Sequence, residues 1–373
     1  MSNFILSSRE LAKLVVMAVF ATWLFGLSGL IMILIMQWMT LQSYAEDSVQ
    51  KHGISEFKAS RLGGVALAIG AFISSILFSF SLQVPLSTID QLGELGPIWL
   101  GTFGCFLLGL IEDLWNNRLT PRFRLLCKAL ILALVFLLMP SLVPDGIGLA
   151  GIDWILSFPL FAFVVCLFFS VGFINAVNTV DGANGLVAGI FVISCYILAS
   201  PLGYFSLSVG VFSGGLFLLF NVVSGRLFLG DAGAYGLGAG MLLIGLAAFA
   251  EGVVSLSFLA VLYFYPCFDF LISIVRRYLQ GKSITAPDND HLHNRVHALF
   301  KSIFKSKNMA NSMTGLSIAL GTSGVALVGY LGAFLALTSN LWIFVFMTQA
   351  VIYGVVFASL GKTESDANNQ ALV

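Results

Sequence analysis

The run Asn175-Ala-Val-Asn178-Thr-Val-Asp181-Gly182-Ala-Asn184-Gly185 places three Asn, one Asp and two Gly between two apolar stretches. Polar groups so close to lipid must be met by protein, water or a ligand. If the segment is helical, Asn178 and Asp181 lie one turn apart and face the same way. Gly182 and Gly185 permit sharp turns and close approach by a ligand. A polar helix–helix turn is the plain alternative.

Four further constellations carry chemistry. Glu112-Asp113 sets two carboxylates side by side at the end of an apolar block, and such a pair repels unless a cation or proton joins it. Arg118, Arg122 and Arg124 follow, so a solvated helix end balanced by arginines is also open. Asp231, in Gly230-Asp-Ala-Gly233, either caps the helix it opens or holds a divalent cation. Mg2+ takes one or two carboxylates plus phosphate oxygens, so separated carboxylates suit magnesium carried with a nucleotide diphosphate. His291, His293 and His297 are three of the four His in the chain. They have no Cys partner and no H-E-x-x-H frame, which favours phosphate contact over transition-metal ligation; a surface loop with chance histidines is the alternative. The fourth group is Ser60-Arg61-Leu-Gly63-Gly64. The five Cys lie in apolar stretches or at their ends without a C-x-x-C pair and read as buried thiols.

The elements that must position these groups are membrane helices. The 373 residues are 58% hydrophobic and 10% charged, with mean hydropathy +0.98, more apolar surface than a soluble core absorbs. An all-α, polytopic membrane protein is expected, a single domain over 1–373. A span needs about 20 mostly apolar residues. Eleven blocks qualify, near 14–39, 62–82, 96–111, 125–143, 155–174, 185–200, 203–223, 232–250, 254–275, 313–336 and 340–360. The one extended hydrophilic stretch inside the bundle runs over 276–312 and holds the His motif. With eleven spans, sixteen of the 18 Lys and Arg fall on one side and only Arg9 and Lys13 on the other. The positive-inside rule then puts the N-terminus outside and the C-terminus in the cytoplasm. All five constellations fall on the cytoplasmic side, which suggests one site built from several loops. The polar tail after Lys362 is expected to be disordered.

Taken in order, these residues resemble the polyprenyl-phosphate N-acetylhexosamine-1-phosphate transferase family. Asn175–Gly185 is similar to its N-A-x-N-x-x-D-G-x-D-G-L signature, and Phe228-Leu-Gly-Asp231-Ala-Gly233 to its F-x-G-D-x-G element. Pro287-Asp-Asn-Asp-His291-Leu-His293 resembles its P-D-x-x-H-x-H-H loop, and Tyr265-Pro266-Cys-Phe-Asp269 with Arg276-Arg277 its P-x-x-D helix ending in two arginines. Glu112-Asp113 occupies the place of an Asp-Asp pair. Arg61-Leu-Gly-Gly64 is closer to the branch that begins O-antigen and related surface glycans than to the peptidoglycan enzyme, which carries P-T-M-G-G there.

The resemblance implies Mg2+-dependent transfer (Mn2+ also serving) of a sugar 1-phosphate from a UDP-N-acetylamino sugar to undecaprenyl phosphate, releasing UMP. It implies catalytic roles for Glu112, Asp113, Asp181 and His291, with Asp231 and Asp113 toward the metal. Asn175, Asn178, Arg124, His293 and Arg276 would contact substrate. The implied place is the bacterial inner membrane with the site on its cytoplasmic face; no nucleic-acid partner is expected. Three positions depart from the pattern: Glu112 for Asp, Asn184 for a second Asp, and Asn294 for an adjacent His. Asn184 loses a charge, so an inactive scaffold stays open, as does a transporter, in which polar breaks between helices also build sites.

Overall fold

The computed structural model describes residues 7–42, 46–47, 59–81, 95–115, 118–148, 150–283 and 288–361. Of the residues named above, Pro287 and Lys362 lie outside these, as do the polar tail and Lys51 and Lys58, two of the sixteen basic residues counted on one side. Fifteen α-helices are present among the described residues. In chain order they are α1 (Ser8–Met39), α2 (Gly63–Ser81), α3 (Gly96–Leu114), α4 (Pro121–Leu138), α5 (Ala150–Leu156), α6 (Pro159–Val180), α7 (Leu186–Leu202) and α8 (Phe205–Ser224). There follow α9 (Gly230–Ala250), α10 (Leu256–Leu262), α11 (Phe264–Leu279), α12 (Leu292–Ile303), α13 (Lys307–Gly321), α14 (Ser323–Leu331) and α15 (Trp342–Ser359). A two-residue antiparallel pair joins β1 (Glu46–Asp47) to β2 (Ala59–Ser60).

Each of the eleven apolar blocks holds a helix or a bent helix pair. Six helices are long and apolar enough to cross a membrane, or up to eight spans if α10–α11, bent by 82°, and α13–α14, bent by 48°, each count as one. The chain is a multi-pass membrane protein by this measure, with fewer qualifying spans than the eleven expected. The shortfall has a physical basis. The apolar part of α2 and all of α7 are short, and α4 carries Arg122, Arg124 and Lys128.

Helix α9 is the most buried of the six long spans. Tyr235, Ala239 and Leu243 on one face enter a core cluster with Leu108 of α3 and Leu132 of α4; Ala234, Leu237 and Met241 on the other enter the larger cluster with Val177 and Phe217. Glycines allow the close approach. A Cβ on Gly109 of α3 would collide with the Asp231 carbonyl, and one on Gly64 of α2 with the Gly233 backbone.

Helix α1 is not a straight span. Gly26 has φ +63°, and a Cβ on Gly29 would strike the Ala21 carbonyl, although eight residues of straight helix rise about 12 Å. Phe25 packs edge-on against Phe212 at 4.6 Å, level with Phe78 of α2, which meets the same ring at 4.7 Å. Seven residues later, Met32 packs against Gly70, earlier along α2. The chain has therefore turned back. Glu10 forms an ion pair with Arg226, and Lys13 Nζ donates to the Val223 carbonyl at 3.0 Å. Just beyond the helix's other end, Glu46 pairs with Ser60, whose N–H donates to the Arg226 carbonyl at 2.9 Å. Both ends of α1 thus sit at the Arg226 end of the bundle.

This differs from the expectation that Arg9 and Lys13 lie across the membrane from the other basic residues. The apolar run around Gly26 hides the turn, because a glycine in the left-handed region looks like any small residue in sequence. The hairpin brings Arg9 and Lys13 to the Arg226 end of the bundle. A protease site fused ahead of Ser7 and one inserted at Lys282 are therefore expected to be cut from the same face of sealed vesicles; cleavage from opposite faces would mean α1 crosses once.

Candidate active site

The site is assembled on the N-terminus of α9. Ser60 O accepts from Phe228 N–H at 2.8 Å, Gly63 N–H donates to Phe228 O at 2.9 Å, and Gly64 N–H to Leu229 O at 2.8 Å. The Arg61-Leu-Gly-Gly and Phe-Leu-Gly-Asp elements are thus two edges of one backbone seam. Gly230, at φ +75°, sits where a Cβ would meet the Arg61 carbonyl and, at 2.7 Å, Asp113 Oδ2. A residue with a side chain is excluded there on both counts.

Asp113, from the end of α3, accepts the Asp231 N–H at 3.0 Å on Oδ1 and the Ala232 N–H at 2.8 Å on Oδ2. It satisfies two of the donors that an α-helix leaves open at its start. Its neighbour Glu112 receives Arg124 Nη1 at 3.3 Å on Oε1, while Oε2 is buried with no hydrogen-bond partner among the described residues. Asp231 lies half-buried beside this pair, within electrostatic reach of Arg124, Arg61, Glu112 and Lys128.

Asp181 terminates α6, and Asn178 leaves the last turn of that helix. Both are half-buried. Burial, then the charges of Asp231 and Asp113, push the Asp181 carboxyl well above the usual range. Asp113, Asp181 and Asp231 therefore share one region, as the sequence suggested. Among the described residues, neither the Asp181 nor the Asp231 carboxylate receives a hydrogen bond.

Asn175 is differently employed. Its Oδ1 accepts from Lys128 Nζ at 2.6 Å, and its Nδ2 donates to Val171 O at 2.8 Å. Both ends of the amide are taken by protein.

Asn184 points elsewhere again. Buried at 4% exposure, it donates Nδ2 to Asn308 Oδ1 at 3.0 Å and Ser312 Oγ at 3.4 Å, and accepts from Asn221 Nδ2 at 3.5 Å. A carboxylate there would lose both donated bonds and face an amide oxygen. In this chain Asn184 ties α7 to α8 and α13.

The His motif closes the site from α12. Asp269, on α11, accepts from Leu292 N–H at 3.0 Å and Tyr353 OH at 2.7 Å on Oδ1, and meets His291 Nδ1 at 2.6 Å on Oδ2. The His291 ring stacks on His293 at 5.4 Å between centroids. His293 Nδ1 and its backbone N–H both meet Tyr265 OH at 3.0 Å. Burial first, then the neighbouring His291 and His297, push the His293 imidazole down to about 4 against the pull of Asp269, so it is neutral at neutral pH. A Cβ on Gly182 would sit 3.0 Å from His293 Nε2. The His loop and the Asn175–Gly185 run thus meet directly after Asp181.

Arg276 is not part of this meeting point. It bonds Asp288 at 2.5 Å and Asp290 at 3.3 Å, while Arg295 takes Asp290 at 2.7 Å and lies 3.6 Å over the Phe357 ring. Burial alone would raise Asp288; hydrogen bonds from Ser273 and Asp290 N–H and the Arg276 charge outweigh it and hold the carboxyl at about 2. This network fastens the loop to α11 and α15.

Sequence reasoning passed over Lys128, Tyr235 and Tyr353. Only Lys128 carried a signal, a cation two turns inside an apolar helix.

Residues 95–249, which carry Glu112-Asp113, Asp231 and the Asn175–Gly185 run, match the profile described as "Glycosyl transferase family 4". That stretch is similar to glycosyl transferase family 4. A Bacillus subtilis family relative, named a probable undecaprenyl-phosphate N-acetylglucosaminyl 1-phosphate transferase, is 23% identical over 338 residues, 87% of each chain. A Thermotoga maritima undecaprenyl-phosphate alpha-N-acetylglucosaminyl 1-phosphate transferase is 31% identical over 57% of this chain and 64% of its own length. A phospho-N-acetylmuramoyl-pentapeptide-transferase from Staphylococcus saprophyticus is 26% identical over 68% of this chain and 81% of its own. The relatives named here are all transferases, so the names of the matched family and of these relatives indicate an enzyme. The His loop, α12 and α15 lie beyond the matched residues.

Proposed function

We propose that this chain transfers N-acetylhexosamine 1-phosphate from a UDP-sugar to undecaprenyl phosphate. An oxygen of the lipid phosphate attacks the sugar-bearing phosphorus of the donor, the phosphoanhydride bond breaks, and UMP leaves. The product is a lipid-linked sugar diphosphate that initiates a surface glycan. The observation that carries this reading is the meeting of Asp113, Asp181 and Asp231 with Arg61, Arg124 and the His291–His293 loop at one end of an apolar bundle.

Both reactants are anions, so the protein must offset charge and align the nucleophile. Among the described residues no three His, Cys, Asp or Glu side chains gather into a complete metal cage. The donor set fits Mg2+ nonetheless, because among the described residues the Asp231 and Asp181 carboxylates receive no hydrogen bond and Mg2+ takes its remaining ligands from phosphates and water. Asp231 would hold it, with Asp181 nearby, and Asp113 fixes the helix start that presents Asp231. Bound there, the ion supplies electrostatic stabilisation of the phosphate oxygens. Glu112 anchors Arg124, which faces phosphate with His291 and His293; Asn178 reaches the nucleotide.

The basic residues gathered at the site end support a cytoplasmic-facing site in the inner membrane. A transporter is disfavoured, since its polar groups would sit near the bilayer midplane. Purified protein with Mg2+, undecaprenyl phosphate and a panel of UDP-N-acetylhexosamines is expected to release UMP and to yield a lipid-linked product whose mass identifies the sugar. UDP-N-acetylglucosamine is the expected donor. No turnover across the panel beside an active control would defeat the reading.

A further inference from the structure

Lys128 has no task in the function proposed above. It lies two turns into α4 at 1% exposure. An ionisable group so placed is costly and calls for a partner and a purpose. Nζ donates to Asn175 Oδ1 at 2.6 Å and sits 3.7 Å over the Tyr235 ring. Tyr235 is one helical turn beyond Asp231 on α9, and Arg124 is one turn before Lys128 on α4, so the two pairs form facing rungs. Arg124 hydrogen-bonds Glu112 and lies within electrostatic reach of Tyr235; Lys128 takes the same tyrosine ring and Asn175. Lys128 is also within electrostatic reach of Asp231. It is sealed from solvent and cannot touch either substrate.

We propose that Lys128 is a positioning residue, a fixed internal cation that clamps Asn175 and Tyr235 and faces Asp231 from the membrane side, setting how the site divides its affinity between a divalent cation and the anionic sugar donor. This rests on the transferase reading for the donor and on Asp231 for the cation. Asn175 then serves as the ligand of the lysine rather than of substrate. Removing a unit charge within electrostatic reach of an ion in a shielded site changes the ion's affinity by about tenfold.

Lys128→Gln keeps an amide donor for Asn175 and drops the charge. In detergent-purified protein without nucleotide, free Mn2+ measured by electron paramagnetic resonance is expected to show the variant binding Mn2+ about tenfold more tightly than the parent. In turnover, its KM for the UDP-sugar is expected to rise about tenfold, with kcat changed far less. A purely structural lysine would leave both quantities in place, and equal Mn2+ affinity and equal KM would overturn the proposal. So would the absence of Mn2+ binding in both proteins. If the parent turns over no UDP-sugar but the Mn2+ shift is seen, the transferase reading and the donor half of the proposal fail, and the effect of Lys128 on the cation stands. Should Lys128→Gln fail to fold, Asn175→Asp neutralises the lysine in place and is expected to tighten Mn2+ in the same direction; no shift there would equally overturn it.

Discussion

Asp231→Asn is expected to insert, fold and melt as the parent does, and to lose about a thousandfold or more in kcat. The side chains are nearly isosteric, and the Asp231 carboxylate receives no hydrogen bond among the described residues, so the fold does not lean on it. The backbone link is kept, because Asp113 accepts from the Asp231 N–H and not from its side chain. What is lost is a negative charge at the place proposed to hold the cation that steadies two anions, and each tenfold of rate corresponds to about 1.4 kcal/mol of transition-state stabilisation. Release of UMP is the measurement. A variant retaining a tenth of parental activity would remove Asp231 from the centre of the scheme.

The second large effect is expected at Asp269→Asn. Asp269 is 1% exposed and accepts three hydrogen bonds, from Leu292, Tyr353 and the His291 ring. As a carboxylate it can only accept, so His291 carries its proton on Nδ1 and turns Nε2 toward the site. An asparagine amide presented to Nδ1 donates instead and moves the ring proton to Nε2. The shape survives and the available nitrogen changes character. A fall in kcat of about a hundredfold to ten-thousandfold, with donor KM little altered, is the expected outcome, by analogy with buried carboxylates that orient catalytic histidines elsewhere. An unchanged kcat would show that His291 acts only as packing.

Much of this centre was legible because its residues are expensive where they stand. Asp113, Asp181 and Asp231 interrupt apolar sequence, and a carboxylate near lipid advertises a partner. The helices were legible as well, since each apolar block folded into one helix or a bent pair. What sequence could not convey was direction. Asn175 and Asn178 differ by three residues, yet the first turns to Lys128 and the second stays open near the site. Asn184 reads as a lost charge in a motif, while its side chain binds Asn308 and Ser312 away from the carboxylates. Arg276 belongs to a motif and spends itself on Asp288 and Asp290. Tyr353 had no signal at all, because its role depends on a contact across 84 residues. Gly26 was invisible for the opposite reason: its turn depends on a backbone angle that no neighbouring residue type announces.

The reversal at Gly26 also bears on how the molecule is made. A stretch that doubles back at Gly26 keeps Arg9 and Lys13 on the side from which the hairpin enters the bilayer. Nor do Glu10 and Lys13 have to be dehydrated and carried through lipid to meet the Arg226 segment, which emerges more than two hundred residues later. The Glu10–Lys13 segment would wait at the membrane surface as a ready buttress, and the floor of the reaction chamber would lock onto it once α8 and α9 are delivered.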